Sequence, residues 1–263
     1  MKNLLSIAIA VSFVFAACAR TERTNIEKIT ADEPRSLDSF ERISVANSIT
    51  LIMEKGSKNE ARIETSGMDT DKVIVENAGS TLKIYIDYRD RDFWDNIGGS
   101  GSATVYLTFT ENLTSLKASN SSSIRSKSLI KSDEFSVKVS NSATIEADVD
   151  TDELELSISN SGRIKMNAEA DELEVSITNS GKVSLSGETA EQEISITNSG
   201  RYDGYGMKSE RSDITIRNSG TAEVSVSKEL IVDATNSGKV YYKGEPTKIL
   251  ANSENSAKVR KAN

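Results

Sequence analysis

Histidine is absent from this chain of 263 residues, and cysteine occurs only once. Histidine is the side chain that titrates near neutral pH and a frequent metal ligand. Its absence therefore excludes Ser-His-Asp triads and histidine-ligated metal centres. A single cysteine cannot form an internal disulfide. We predict no catalytic residues, no metal site and no cofactor, and a protein that is not an enzyme.

Aromatic residues are also scarce, at 5% of the chain. A hydrophobic core must therefore come mainly from Ile, Val, Leu and Ala, and the chain is long enough for one or two domains. The formal net charge is −8. This acidic balance argues against a nucleic-acid partner, because such binding depends on Lys and Arg contacts to phosphates.

The N-terminus has the composition of an export signal. Lys2 precedes a nearly unbroken apolar stretch over residues 4–17, which is short for a membrane-spanning helix. The only cysteine, Cys18, follows small residues at the expected cleavage point and resembles the acylated cysteine of a bacterial lipobox. We predict a lipoprotein signal peptide over residues 1–18 and a lipid anchor in the cell envelope, at the outer membrane, on its surface or periplasmic face. An ordinary signal peptide cleaved near Ala17 is the alternative.

The next two segments differ in pattern. Residues 19–37 are polar and have no apolar periodicity, which predicts a flexible tether. From Phe40 onward apolar and polar residues alternate, which indicates β-strands. Glycine-containing breaks such as Lys55–Ser57 separate the alternating runs. We predict about six strands within residues 38–115, forming a β region that caps the rest of the fold.

An Asn-Ser dipeptide recurs through the second half of the chain, and this repeat is the strongest signal in the sequence. Its asparagines are Asn120, Asn141, Asn160, Asn179, Asn198, Asn218, Asn236 and Asn255. Successive copies are 21, 19, 19, 19, 20, 18 and 19 residues apart, and a tiny residue follows two positions after every Asn. We therefore predict an all-β fold in which residues 116–263 form a right-handed parallel β-helix, or β-solenoid, with coils of about 19 residues.

The residues before each Asn predict where its side chain points. Leu156 and Ile158 precede Asn160 by four and two residues, and side chains two apart in a strand share a face. Each Asn is therefore expected to point into the core. Stacked about 4.8 Å apart, identical amides can hydrogen-bond to one another, so an interior Asn ladder is predicted. Crowding at a tight corner explains the tiny residue better than a left-handed backbone does, although the sequence leaves both open. Both a two-sided and a three-sided coil fit the pattern.

Outward-facing positions also repeat from coil to coil. The expected rows are acidic (Glu155, Glu174, Glu193, Asp213), hydroxyl-bearing (Ser157, Ser176, Ser195, Thr215) and basic (Arg163, Lys182, Arg201, Lys239, Lys258). A solvated face with charges of both signs is the simpler interpretation of these rows. A ridged surface that binds an extended polymer is the alternative.

Several segments resemble the head GIN domain family of auto-transporter adhesins, which are exported bacterial proteins. These segments are Phe40–Val45, Ile49–Gly56, Leu82–Ile86 and Val105–Phe109, followed by the Asn-Ser-Gly array. The resemblance spans about residues 38–260 and implies a β-helical fold, adhesion as the family function and no established enzyme activity. The family more often carries Ser-Gly at the corner, so the uniform Asn-Ser is a departure. No catalytic residue is implied by the resemblance.

One unusual segment lies outside the repeats, over residues 87–101. It contains Asp90, Asp92, Phe93, Trp94 and Asp95, followed by a glycine-rich tail. Its rings could stack on a sugar and its carboxylates could bind Ca²⁺, which makes it a candidate ligand loop. However, the spacing does not match an EF-hand, and Arg89 and Arg91 offset the carboxylates. A loop that packs its aromatic side chains against the cap is the other interpretation.

Together these features predict a non-catalytic cell-envelope lipoprotein that acts as an adhesin or binding module through a ridged solenoid surface. Its partners would be the membrane, through the lipid anchor, and a glycan or protein ligand on the solenoid. A periplasm-facing structural or assembly scaffold is the first alternative, and a polysaccharide-active β-helix enzyme is the second. The sequence leaves the ligand and the oligomeric state open.

Overall fold

The fold is built almost entirely from β-strands. The computed structural model describes residues 29–31, 33–87 and 101–262, which contain nineteen strands and one 3₁₀ turn at Thr70–Lys72. The N-terminal strands are β1 (Ile29–Ala31), β2 (Arg35–Ser36), β3 (Arg42–Ala46), β4 (Ile49–Lys55), β5 (Glu60–Ser66), β6 (Val73–Ala78), β7 (Thr81–Ile86) and β8 (Ser102–Phe109). The remaining strands are β9 (Ser115–Ser119), β10 (Ser123–Ser126), β11 (Ile130–Val139), β12 (Thr144–Ser159), β13 (Arg163–Thr178), β14 (Lys182–Asn198), β15 (Arg201–Asn218), β16 (Thr221–Ala234), β17 (Lys239–Lys243), β18 (Lys248–Ser253) and β19 (Lys258–Lys261).

Strands β12 to β15 stack in parallel, and β12, β13 and β14 are the regular coils of the fold. The register shifts once between β14 and β15, between Ser184 and Ser186, and Ile158, Ile177, Ile196 and Ile216 are aligned in four successive coils. Parallel pairing joins the backbone groups of each coil to the coils above and below it. The predicted parallel β-solenoid with coils of about 19 residues is confirmed.

The core consists of aliphatic columns that run along the solenoid. Leu156, Val175, Ile194 and Ile214 form one column, and all four are completely buried. Burying each such side chain stabilises the fold by about 1.5–3 kcal/mol. The alternation of buried and exposed residues breaks twice in each coil, for example at Asp152–Glu153 and Asn160–Ser161, where two consecutive residues are exposed. The chain changes direction at these corners.

The N-terminal region both begins the stack and caps it. β3 pairs in parallel with β9, and β4 with β10, so residues 42–55 already form a coil. On the other side, β7 and β8 pair in parallel with β3 and β4. Antiparallel pairing then takes over, because β5 runs antiparallel to β8 and β6 runs antiparallel to β7. Residues 56–87 and 101–114 therefore belong to an excursion that closes this end before the chain returns to the stack.

The segment predicted as a flexible tether, residues 19–37, contains two short strands at its C-terminal end. Both β1 and β2 lie within that range, and both pair antiparallel with β5. The edge of β5 presents unpaired backbone groups, and short polar segments can satisfy them without any apolar pattern. The signal peptide and Cys18 lie outside the described residues.

The Asn-Ser corners turn on a left-handed backbone. All eight repeat asparagines have a positive φ, between 52° and 76°. Asn adopts this conformation more readily than most residues with a side chain. The strand alternation does not hold at a left-handed residue, so the side chain leaves the inward face. The interior placement predicted for the Asn ladder is therefore wrong, because these side chains lie exposed, or half-exposed at Asn198, on the outside of the corner.

A ladder of side-chain amides runs along this outer corner. From Asn120 to Asn255, each Nδ2 donates to Oδ1 of the Asn in the preceding coil, at 2.5–3.2 Å. Within the described residues the ladder has a further member, Asn47, which accepts from Asn120 and also has a positive φ. Asn47 donates in turn to the backbone oxygen of Ile86, at 3.2 Å. The Asn47-Ser48 dipeptide could have indicated this member from the sequence. However, Asn47 and Asn120 are 73 positions apart in the chain, so the repeat of about 19 residues is not visible there.

Seven of the eight tiny residues that follow Asn-Ser are buried, and Ala257 in the last coil is half-buried. A Cβ at Gly181 would lie 1.8 Å from Cγ2 of Ile158, and one at Gly200 would lie 2.5 Å from Cγ2 of Ile177. None of the five corner glycines has a positive φ. Lack of space, rather than backbone freedom, therefore selects the tiny residue, in agreement with the crowding interpretation.

The asparagine ladder should contribute measurably to stability. Asn179 donates to Asn160 and accepts from Asn198, whereas Asn255 only donates, to Asn236. Asn179→Ala removes two hydrogen bonds and leaves Ala in the left-handed region, so we expect the free energy of unfolding to fall by about 2–3 kcal/mol. Asn255→Ala should cost about 1 kcal/mol less. Urea denaturation measures both, and equal losses would contradict the ladder.

Asn179→Gly is the matched control for this prediction. Glycine keeps the left-handed backbone without steric cost and removes only the amide. The free energy of unfolding of Asn179→Gly should lie between those of the wild type and Asn179→Ala. A loss as large as that of Asn179→Ala would mean that backbone conformation contributes nothing at this corner.

Corner crowding leads to a second stability prediction. Gly181→Ala forces a Cβ against the short, β-branched Ile158 side chain, and we expect a loss of about 1–3 kcal/mol from overpacking. Gly238→Ala should cost less, because its Cβ would lie 3.0 Å from the nearest side-chain atom, Cγ2 of Ile216. Thermal unfolding of the two variants tests this order, and the reverse order would refute the crowding argument.

Candidate functional surface

The basic side chains predicted to stack do form a row. Arg163, Lys182 and Arg201 are aligned in register on β13, β14 and β15. Thr221 interrupts the row on β16, and it resumes with Lys239 and Lys258 on β17 and β19. The row lies directly after the asparagine corner of each coil.

Carboxylates neutralise the middle of the basic row. Lys182 Nζ lies 2.6 Å from Oδ2 of Asp203, and Arg201 forms ion pairs with Asp203 and with Glu223, the latter at 2.9 Å. Burial by itself would raise the pKa of Asp203, but the hydrogen bonds from Lys182 and Arg201 outweigh it and bring that pKa below its ordinary value. The two basic residues therefore hold Asp203 ionised.

Two carboxylate rows line a shallow groove on another part of each coil. One row is Glu134, Glu153, Glu172 and Glu191, and the other is Glu155, Glu174, Glu193 and Asp213. The second row is the acidic row predicted from the sequence. Coil spacing puts neighbouring carboxylates about 5 Å apart, and two such charges repel by about 1 kcal/mol in a water-like dielectric. This surface is therefore suited to attract cationic groups. Its carboxylates occur once in every coil and do not converge on a single site.

Arg211 interrupts the first acidic row at β15. It follows Glu191 in register and lies within 4.0 Å of both Glu191 and Glu229. Lys138 similarly pairs with Glu155 at 3.4 Å, at the other end of the groove. The uninterrupted acidic surface therefore covers the coils of β12, β13 and β14.

A buried polar cluster lies in the core beneath the groove. Gln192 donates to the hydroxyl oxygens of Ser209 and Ser212, at 2.9 and 2.8 Å, and accepts from the Tyr202 hydroxyl at 2.8 Å. All four side chains are buried, and burial raises the pKa of Tyr202. The cluster is internally satisfied, and its phenol stays neutral, so we assign it to packing rather than chemistry.

Sequence reasoning missed one surface feature, an aromatic ring with a cation beside it. The Nζ of Lys243 lies 4.7 Å from the centre of the Tyr205 ring, which is half-exposed. The available signal was the Gly-Tyr-Gly at residues 204–206, in the one coil that is 20 residues long. The candidate ligand loop that the sequence did suggest, with Asp90, Asp92, Phe93, Trp94 and Asp95, lies outside the described residues.

The sequence matches one protein-family model in two overlapping stretches, residues 39–167 and 148–246. That model represents the "Putative auto-transporter adhesin, head GIN domain". The chain belongs to this family. The resemblance inferred from the sequence is confirmed, and this head GIN protein matches the model once over its N-terminal coils and again over its regular repeats.

Several solved structures share the fold of this head GIN protein. A "putative adhesin" from Parabacteroides merdae ATCC 43184 has a TM-score of 0.80 at 20% identity, covering 90% of this chain and 97% of that one. A second "putative adhesin", from Parabacteroides distasonis ATCC 8503, has a TM-score of 0.78 at 20% identity, with coverage of 90% and 98%. A "putative lipid binding protein" from the same organism has a TM-score of 0.74 at 19% identity, with coverage of 91% and 98%. At these identities the likeness establishes the fold, and no curated protein is significantly similar.

A family of adhesins suggests an exported protein. In the part of the chain that the structure describes, no helix is long and apolar enough to cross a membrane.

The ion pairs of Asp203 predict a pH dependence of stability. Because its pKa is lowered in the folded state, its contribution is fully present above the unfolded-state pKa and is lost as pH falls through the folded-state pKa. Asp203→Asn should therefore lower stability near neutral pH and lose less on acidification from about pH 5 to about pH 3 than the wild type does. Urea denaturation across this range tests it. Parallel pH profiles for the two proteins would show that Asp203 adds nothing.

Proposed function

We propose that this head GIN protein is a non-catalytic lipoprotein of the cell envelope, anchored through Cys18, whose solenoid acts as an adhesin-type binding module. The observation that carries the proposal is the arrangement of its outward side chains into charged rows that follow the coils. The basic row and the paired acidic rows run across successive coils on separate parts of the surface. Such rows suit an extended ligand, which can meet one side chain in every coil.

The backbone supports a binding surface that changes little on contact with a ligand. In-register hydrogen bonding and fully buried aliphatic columns hold each outward position about 4.8 Å from its equivalent in the next coil. A rigid surface loses little conformational entropy when a ligand binds. This property favours a binding role for the solenoid itself.

The charge pattern is less suited to catalysis. Hydrolysis of a polysaccharide requires acidic or basic groups that converge at one bond. Here Glu153, Glu172 and Glu191 occupy equivalent positions in three coils and differ only in height along the stack. We therefore rank a polysaccharide-active enzyme below a binding module.

The family and the fold support an adhesin, but a periplasm-facing scaffold would have the same architecture. The two roles differ in exposure on the cell. A membrane-impermeant, amine-reactive biotin reagent is a suitable probe because the solenoid carries exposed lysines such as Lys165 and Lys239. We expect labelling on intact cells, at a level similar to that in permeabilised cells. A periplasmic protein that stays unlabelled on intact cells serves as the control.

Labelling only after permeabilisation would rule out adhesion and leave the scaffold.

The anchor is tested separately with Cys18→Ser. This variant should no longer incorporate labelled palmitate, while the solenoid remains folded. A Cys18→Ser protein that still incorporates palmitate would show that the lipid anchor lies elsewhere.

A further inference from the structure

β15 is the irregular coil of the solenoid. Asn198 and Asn218 are 20 residues apart, whereas the three spacings before them are 19. Against β14, the register shifts between Ser184 and Ser186. Against β16, Gly204 pairs with Val224 and Lys208 pairs with Ser225, so residues 205–207 have no partner in that strand. A β-bulge therefore interrupts the repeating surface here, as bulges often do where a side chain must be re-aimed.

The bulge brings Tyr205 to the surface without any need for it in the core. Met207 is completely buried under the bulge, and Tyr202 is completely buried beside it. A Cβ at Gly204 would lie 2.1 Å from Cε1 of Tyr202, so glycine is required at that position. The interior is thus already filled, while the Tyr205 ring remains half-exposed. A simpler explanation is that Tyr205 fills space left by the 18-residue coil of β16, but this does not account for the exposure of the ring.

One cation lies beside the Tyr205 ring, and a second tyrosine and an arginine lie on the outward face of the next strands. Lys243, on β17, has its ammonium group 4.7 Å from the ring centre. Tyr241 lies two residues before Lys243, with Glu223 above it and Arg260 below it in register. Burial raises the pKa of Tyr205, and the nearby Glu223 and Tyr241 raise it further. Tyr241 and Lys243 are two residues apart on β17 and share a face, so Tyr241 lies on the same surface as the Tyr205 ring that Lys243 contacts.

The cations at this end of the solenoid are available for a ligand. Among the described residues, no carboxylate lies within 4.0 Å of Lys239, Lys243, Lys258 or Arg260, whereas Lys248 and Lys261 are paired with Glu229 and Glu245. Residues 239–263 contain six basic and two acidic side chains, a local net charge of +4 in a chain of net charge −8. This concentration of unpaired positive charge favours an anionic ligand.

We propose that Tyr205, Tyr241, Lys243 and Arg260 bind neighbouring acidic sugar units of an anionic polysaccharide. The C–H face of a pyranose stacks on an aromatic ring, and a sugar carboxylate forms charge-assisted hydrogen bonds with Lys and Arg. When the sugar binds, the Lys243 ammonium group moves from the face of the Tyr205 ring to the sugar carboxylate. This movement costs little free energy, because an exposed cation–π contact is weak. The inference rests on the proposed binding function and gives it a ligand class.

The neighbouring basic row extends the site along a polymer. Lys239 and Lys258 lie two residues before Tyr241 and Arg260 and are aligned with each other on successive coils. Coils are about 4.8 Å apart, so successive acidic units of a chain meet cations in successive coils. A polymer should therefore bind more tightly than a single sugar acid.

The test is isothermal titration calorimetry on the full chain in detergent, with polygalacturonate, alginate and hyaluronate as probes. We expect at least one of them to bind, and Tyr205→Ala to weaken that binding by about tenfold or more. Tyr205→Phe keeps the ring and should bind like the wild type. Thermal unfolding of each variant shows whether the solenoid is intact.

Two controls separate stacking from charge and location. Polyglutamate is a polyanion without sugar rings, so its binding should be weaker and unaffected by Tyr205→Ala. Tyr106→Ala is the matched variant, because Tyr106 also has a cation on its ring: the guanidinium carbon of Arg62 lies 4.5 Å from the ring centre. Tyr106 is on β8, away from the basic strands β17 and β19. Tyr106→Ala should leave polysaccharide affinity unchanged, whereas Lys243→Gln should lower it.

Three outcomes would overturn the inference: no binding of any acidic polysaccharide, unchanged binding by Tyr205→Ala, or equal weakening by Tyr106→Ala. Failure here is distinguishable from failure of the proposed function. Surface labelling without polysaccharide binding would overturn only the ligand class. Polysaccharide binding by a protein that is labelled only in permeabilised cells would overturn only the adhesin role.

Discussion

Each coil of this solenoid hydrogen-bonds through its backbone to the coils above and below, in parallel and in register. A residue therefore meets its own equivalent on both sides, about 4.8 Å away. Aliphatic side chains gain from this arrangement, as the fully buried column of Leu156, Val175 and Ile194 illustrates. Like charges are brought close by the same geometry, so they are tolerated only on the solvated outside. The composition of every row, inside and out, follows from this single constraint.

Asparagine meets two requirements of the corner at once. Its backbone adopts the left-handed conformation that reverses the chain, and its amide carries both a donor and an acceptor. A carboxylate at the same position would repel its neighbours in the stack, and glycine would turn the chain without linking the coils. The ladder from Asn47 to Asn255 thus joins the N-terminal coil of residues 42–55 to the regular repeats along one edge.

Under the proposed function, the regular and irregular parts of the surface would support different kinds of recognition. The acidic rows repeat one charge over the coils of β12 to β14, which suits an extended partner but carries little specificity. The bulge in β15 breaks the period, places Tyr205 beside the Lys243 ammonium group, and lies next to the basic C-terminal coils. The acidic-sugar site that we propose lies at this local departure from the repeat.

The sequence alone determined the parallel solenoid, its coil length and the order of the outward rows, because strand alternation and a 19-residue period are local patterns that stacking preserves. The same reasoning failed at the asparagines, since a left-handed residue does not obey the alternation of the strands beside it. It also missed β1 and β2, whose pairing with β5 depends on backbone groups and leaves no apolar pattern. Asn47 and the Tyr205 surface were decided by tertiary structure, because the contacts that define them join residues 73 and 38 positions apart in the chain. Only folding brings such distant segments to neighbouring coils.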